Sequence, residues 1–354
     1  MRPEMQGAVT APGRVNLIGE HIDYHGLPVL PIALRRAVRV KFRRRDDQII
    51  RATSEGFGTR EFEWTAGLLP VAAGDWENYL RAAGEVVSGR WGAAQGIDAE
   101  VTSDLPPAAG LSSSSALMIS FALALLEANG IRAGFEELME LFPEGEQFVG
   151  TRGGAMDHAA ILGSRAGCAS LIEFGPLRLR PISIPQDWAF LVADSGVRAE
   201  KSGTARQEFN ARRTAGSAAL AKLGVASFLE QVPSPGVPLS NQESDAYLHV
   251  TSEAARVRDA VCALERQDAS AFGRLLLESH ASLRDGLKVS HPALDRLVED
   301  SIAAGALGAR LTGAGFGGCA VLFCLRRDVP AVRRRLEERY PLIDAEAGPG
   351  VLEN

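Results

Sequence analysis

Residues 106–116 read Pro106-Pro-Ala-Ala-Gly-Leu-Ser-Ser-Ser-Ser-Ala116. The segment before them, residues 97–105, alternates like a strand, with Ala99, Val101 and Ser103 on one side. The segment after them, residues 117–129, is an apolar run of helical length. The stretch is therefore expected to join a strand to the N-terminus of a helix. Unpaired backbone N–H groups and the positive end of the macrodipole favour an anion there. Gly110 permits close backbone approach, and four serines add hydroxyls. One reading is a polyphosphate cradle; the other is an ordinary serine-capped helix after a tight turn. One serine suffices for a cap, so four after Pro-Pro-x-x-Gly favour a ligand. No Gly-Lys-Ser/Thr follows, so the loop is not a Walker A sequence.

The surrounding chain has 354 residues, enough for two domains or one large one. With 46% hydrophobic and 23% charged residues it reads as a globular protein. A net charge of -6 gives no basic footprint for nucleic acid. No apolar run is long enough to span a bilayer, and the N-terminus lacks an apolar signal region. Cys168, Cys262, Cys319 and Cys324 are widely spaced without a metal-ligand pattern. They read as free, buried thiols of a reducing compartment, and a cytoplasmic location is expected.

Upstream, residues 7–11 form a strand candidate that runs into Gly13-Arg-Val-Asn-Leu-Ile-Gly-Glu-His-Ile-Asp-Tyr-His-Gly26. Arg14, Glu20, His21 and Asp23 are costly to bury unless paired or bound. Glu20 and Asp23 suit sugar or polyol hydroxyls, and Arg14 suits a phosphate or developing oxyanion. The alternative is a surface loop with a local Arg–Glu pair. Residues 29–33 and 37–42 alternate as two strands, and residues 49–64 have further strand character. Trp76 and Tyr79 are three apart in a helical segment, residues 75–88. They could stack on a flat base or simply pack in the core.

Downstream, a second helix is expected near residues 135–142. Asp157 follows Gly153-Gly-Ala-Met and opens the apolar stretch 159–163. It reads either as a helix cap or as a general base beside a phosphate site. Strands are expected at residues 169–174 and 188–194, a loop at 233–238, and helices at 245–265, 270–284 and 291–304. Finally Leu311-Thr-Gly-Ala-Gly-Phe-Gly-Gly-Cys-Ala320 precedes an apolar strand, which suggests backbone pressed against a ligand or another loop.

Taken in order, the three Gly-rich stretches resemble the three signature motifs of the GHMP kinases, the family named for galactokinase, homoserine kinase, mevalonate kinase and phosphomevalonate kinase. Residues 13–26 resemble the galactokinase signature nearly residue for residue. The resemblance continues through residues 249–257 and 278–285. It implies an α+β, two-domain fold with the active site in the cleft between domains, expected here as residues 1–185 and 186–354. It also implies an ATP-dependent sugar 1-kinase using Mg²⁺, as monomer or homodimer, with a small-molecule sugar as acceptor and no nucleic-acid or membrane partner.

By the same resemblance, Asp157 matches the catalytic aspartate and Arg14 the arginine beside it. Glu20, His21, Asp23 and Gly154 match sugar contacts. Pro107, Gly110, Leu111, Ser112, Ser113, Ser114 and Ser115 match the triphosphate loop. Ser114 and Glu146 are the expected metal ligands, with Glu144 as the alternative carboxylate. Trp76 and Tyr79 match the aromatic pair at the adenine. Three positions depart from the pattern: His158 where Gln is usual, His25 where Asn is usual, and Phe209 in place of a sugar-contacting tyrosine. Residues 171–178 and Phe209-Asn210 look more like the N-acetylgalactosamine kinase branch, so galactose ranks first and N-acetylgalactosamine second. A non-catalytic sugar sensor is the reading of another class; the intact serine loop, Arg14 and Asp157 favour the enzyme.

Overall fold

The computed structural model describes residues 5–92, 94–106, 110–150, 154–198, 204–230 and 237–353. Pro107, Gly153 and residues 233–236 of the expected loop lie outside the described residues.

The N-terminal half is built on a five-stranded sheet of β1 (Gly7–Ile18), β2 (Leu30–Arg44), β3 (Ile49–Ser54), β4 (Gly58–Glu63) and β5 (Ile97–Ser103), in the order β1-β2-β5-β3-β4. Only β3 and β5 pair in parallel. In β2, Val38, Val40 and Phe42 are buried, and Arg39 and Lys41 between them are exposed. That two-residue period leaves one covered face. Helices α1 (Glu77–Trp91) and α2 (Ser113–Ala128) pack together, and α2 lies on β1 and β2. Because α2 is buried nearly all round, its apolar run shows no single stripe.

Beyond them come α3 (Phe135–Phe148), α4 (Met156–Gly163) and the hairpin β6 (Cys168–Phe174)–β7 (Leu177–Ser183). The second sheet contains β8 (Trp188–Asp194), β9 (Gly308–Thr312), β10 (Cys319–Leu325) and β11 (Leu342–Asp344), in the order β11-β8-β10-β9. Around it lie α5 (Thr204–Leu223), α6 (Asn241–Glu265), α7 (Ala269–Ala281), α8 (Pro292–Ala304) and α9 (Val329–Leu336). Strand β8 is a near-continuous apolar run because both faces are covered. Phe190 and Val192 join the main core with Phe272, while Leu191 and Ala193 join a second cluster with Leu294 and Leu297.

Several expectations change. The first motif is not a loop at its start: β1 runs on to Ile18, and Arg14 is a strand residue. The two strands expected at 29–42 are one, β2. Helix α2 begins at Ser113, so the serines form its first turn, and α3 extends far enough to include Glu144 and Glu146. Strand β7, helix α5, helix α9 and strand β11 carried no recognisable signal; α5 opens on the polar run Thr-Ala-Arg-Gln-Glu and relies on tertiary packing. The four cysteines are free, but only Cys319 and Cys324 are buried; Cys168 is half-buried and Cys262 exposed. Among the described residues, no helix is long and apolar enough to cross a membrane.

Candidate active site

Three segments distant in sequence meet where β1, the start of α2 and the start of α4 converge. The register of β1 against β2 shifts between Pro12 and Arg14, and such an irregularity re-aims a side chain. Gly13 lets the serine loop come close, since a Cβ there would stand 2.7 Å from the Leu111 carbonyl oxygen. The Arg14 N–H donates to that carbonyl at 3.1 Å. Its side chain, 8% exposed, spans the gap: Nη1 donates to the Gly110 carbonyl at 2.8 Å, and Nε donates to Asp157 Oδ1 at 2.6 Å. Arg14 is therefore no surface residue, and its partner is Asp157 rather than a neighbouring glutamate.

Asp157 sits in the first turn of α4 without capping it. Its second oxygen, Oδ2, accepts from the Ser112 hydroxyl. Burial alone would raise its pKa. The Arg14 charge and the two hydrogen bonds outweigh that and hold the carboxyl below its ordinary range. The same contact answers the capping question for the serine loop. Ser112 is the residue before α2 and has left-handed backbone, with φ 55°, and its hydroxyl makes no cap bond. Instead it is aimed at Asp157, a role the sequence reading missed because hydroxyl direction depends on that one dihedral.

Ser115 and Ser114 face α3 and α1. Ser115 Oγ donates to Glu146 Oε1 at 2.5 Å, and Tyr79 hydrogen-bonds Ser114. Gly145 brings α3 this close: a Cβ there would stand 2.5 Å from the Met118 sulfur on α2. Glu144 is exposed, whereas Glu146 turns inward, with His158 Nε2 3.7 Å from its Oε1. His158 itself is buried. Trp76 is the residue before α1 rather than a face-mate of Tyr79 within it. It packs in the core, with the Arg60 guanidinium 6.0 Å from its ring centre, and its buried Nε1 has no hydrogen-bond partner. Among the described residues no cluster of three or more His, Cys, Asp and Glu is arranged around a metal position. A hydroxyl and one carboxylate nevertheless fit Mg²⁺, which takes few protein ligands and completes its shell with phosphates and water.

The sugar-signature residues lie behind Arg14. Asp23 is half-buried and occupies the space a side chain at Gly154 would need. Burial, followed by the nearby Asp157 charge, raises its pKa to about 7. Glu20 is 2% exposed, and its carboxylate is already engaged: Oε1 accepts from Thr312 Oγ1 at 3.1 Å and from the Gly313 N–H at 2.6 Å, and Oε2 accepts from Asn16 Nδ2. Arg310, fully buried, stands 3.8 Å from it. Burial pushes Glu20 upward, and Arg310 and the Gly313 N–H oppose that. His21 Nε2 lies 3.1 Å from the Ala314 carbonyl, which can only accept. Nε2 therefore carries the proton, and Nδ1 accepts from the Tyr24 hydroxyl at 2.9 Å. Burial lowers the His21 pKa to about 3, so the ring is neutral. The third Gly-rich motif is thus pressed against the first. Asn16, Arg310, Thr312 and Gly313 were missed; the glycines signalled a close approach but not its partner. Phe209, on α5, lies 5.2 Å from the His21 ring and 5.5 Å from the Tyr24 ring.

A carboxylate held ionised by a buried arginine, beside a serine-rich helix start and a cluster of largely buried polar side chains, is an arrangement suited to phosphoryl transfer of the GHMP kinase type. Models of the GHMP kinase N-terminal domain and of the GHMP kinase C-terminal domain match residues 78–164 and 259–342. The galactokinase galactose-binding signature matches residues 2–44. A galactokinase of Roseiflexus sp. (strain RS-1) is 36% identical over 94% of this chain and 87% of its own length. One from Streptomyces coelicolor is 37% identical over 99% of this chain and 92% of its own. The crystal structure of Lactococcus lactis galactokinase complexed with galactose superposes with a TM-score of 0.85 at 27% identity, covering 98% of this chain and 95% of that one. Methanococcus jannaschii mevalonate kinase, at 17% identity and a TM-score of 0.73, shares the fold, with 98% of this chain and 99% of that chain covered. The chain belongs to the galactokinase family; it has the α+β GHMP kinase fold and is a sugar kinase.

Proposed function

We propose that the protein transfers the terminal phosphoryl group of ATP to the anomeric hydroxyl of galactose, with Asp157 as the base. The observation that carries this reading is the Asp157 carboxylate held between Arg14 and Ser112 at the mouth of the serine loop. Phosphoryl transfer depends chiefly on positioning and charge neutralisation. Backbone N–H groups at the start of α2 and the hydroxyls of Ser113 and Ser114 receive the phosphates. Asp157 accepts the sugar proton, and Arg14 keeps that carboxylate ionised until it does. Asp23, Glu20, His21 and Gly154 shape the sugar pocket, with Glu20 and His21 also fastening its wall to the third motif. Tyr79 borders the nucleotide side, at the end of α1 that Trp76 packs into the core.

Ser114 and Glu146 would hold Mg²⁺, which neutralises phosphate charge when bound. The inward turn of Glu146, against the exposed Glu144, supports this choice of carboxylate. Residues 1–185 and 186–354 form the two proposed domains. The enzyme is proposed to work in the cytoplasm, in keeping with four unpaired cysteines, as a monomer or homodimer. One observation favours N-acetylgalactosamine as a second acceptor: Phe209 offers an apolar ring beside His21 and Tyr24 where a phenol is usual. A coupled ADP-release assay over a panel of hexoses tests the reading. Turnover with galactose, and phosphate at the anomeric position of the product by NMR, is expected. Phosphate at the 6-position, or no turnover with any hexose, contradicts it.

A further inference from the structure

Helix α5 crosses the short turn at Asp23–His25 and presents four residues to it from one helical face: Phe209, Arg212, Arg213 and Gly216. Phe209 packs on the rings of His21 and Tyr24, and the Arg213 guanidinium lies 5.8 Å from the centre of the Tyr24 ring. Arg212 Nε donates to the Leu287 carbonyl at 2.8 Å, tying the same face to the chain beyond α7.

The fourth position is the tightest. Gly216 is buried, and a Cβ placed there would overlap the His25 ring, standing 2.7 Å from Cε1 and nearer still to Nε2. The ring thus fills the space that any other residue would use. It is backed by Phe228, 4.8 Å away, and by Tyr24, 4.7 Å away. Its Nε2 is buried without a hydrogen-bond partner, so shape rather than polarity holds the ring in place. Gly in a helix interior is less stabilising than Ala. With the His25 ring where it is, only glycine fits at this point of α5 without displacing it.

We propose that His25 is a positioning residue for the sugar site: seated in the notch at Gly216, its ring sets where α5 lies and so how far Phe209 stands into the acceptor pocket. The proposal rests on the sugar-kinase reading above and deepens it. It assigns acceptor discrimination partly to a residue that does not touch the reacting atoms. Phe209 sits seven residues before Gly216, two helical turns away, so a shift of α5 at the notch is carried to it by a rigid element. The nucleotide side, on α1, α2 and α3, does not pack extensively against α5 among the described residues.

Gly216→Ala puts a methyl into the space of the ring, and Gly216→Ala/His25→Ala removes the ring that it meets. Galactose KM should rise about tenfold or more in the single variant. ATP KM should stay within about twofold, and the double variant should recover most of the loss. A second measurement covers a single variant that fails to fold. His25→Asn alone should change the ratio of kcat/KM for galactose over N-acetylgalactosamine by about threefold or more, again with ATP KM unmoved. Galactose KM within twofold of the parent in folded Gly216→Ala, no recovery in the double variant, or an unmoved ratio in His25→Asn would each overturn the proposal. Parent enzyme that turns over no sugar would instead defeat the kinase reading itself, so the two failures are distinguishable.

Discussion

Arg14 reaches Asp157 across 143 residues of sequence, Nε to Oδ1 at 2.6 Å, while its other arm holds the Gly110 carbonyl of the serine loop. One guanidinium therefore fixes both the proposed base and the loop that faces the phosphates. A planar fork can do this and an ammonium cannot. Arg14→Lys, which keeps the charge but loses the second contact, is expected to retain more turnover than Arg14→Gln. In Arg14→Gln the Asp157 pKa rises, so the acid limb of the kcat/KM profile should move to higher pH. Profiles of the two variants measured together check this. Superimposable acid limbs would mean that Arg14 does not hold Asp157 ionised.

Ser114→Ala should raise the KM for Mg·ATP about tenfold or more and leave galactose affinity within about twofold. Ser115→Ala should do less, because Ser115 only holds Glu146 in place. Calorimetric titrations of nucleotide and sugar separate the two. Equal effects on both ligands in Ser114→Ala would point to a collapsed loop rather than a lost metal ligand.

Glu20 links the first motif to the third through Thr312 and Gly313. Glu20→Ala leaves those donors, and the buried Arg310, without an acceptor. A loss of about 3–5 kcal/mol in unfolding free energy is expected from such a broken buried network. Glu20→Gln keeps one acceptor oxygen and should cost less. Denaturant unfolding with unchanged m-values measures the difference.

Asp23 gives a stability signature in pH. Its pKa is raised from an ordinary 3.8 to about 7, first by burial and then by the Asp157 charge. A raised acid stabilises the folded state while protonated. That contribution is complete below about pH 3.8 and is lost as the pH rises through about 7. Asp23→Asn cannot ionise. Its melting temperature relative to the parent should therefore be higher at about pH 8.5 than at about pH 5, by roughly 2 °C or more. Parallel melting curves across that range would show that Asp23 ionises as freely folded as unfolded.

Much of this site is written in local sequence. The serine loop announces an anion at a helix start, and Arg14 and Asp157 are residue types too costly to bury without a partner. What the sequence does not carry is direction. Ser112 is one of four serines until its left-handed backbone turns its hydroxyl to Asp157. Glu20 reads as a free acceptor for sugar hydroxyls until the third motif folds onto it from nearly three hundred residues away. Arg14 lies in a glycine-marked stretch that reads as a loop, yet pairing with β2 makes it a strand. Helix α5 shows no amphipathic start or stop, and its place beside His25 follows from contacts made only in the folded chain. Each miss is a long-range contact overriding a local pattern.

The central claim, that Asp157 is the base of a sugar 1-kinase, is tested most directly by single-turnover phosphorylation of galactose in Asp157→Asn, with both substrates' affinities measured calorimetrically on the same protein. Asparagine keeps the size and the hydrogen bonds to Arg14 and Ser112 within reach but cannot take a proton. A rate lower by roughly 10²–10⁴-fold, with ATP and galactose still bound, is the result expected. A rate near that of the parent enzyme would contradict the account and leave Asp157 as a structural partner of Arg14.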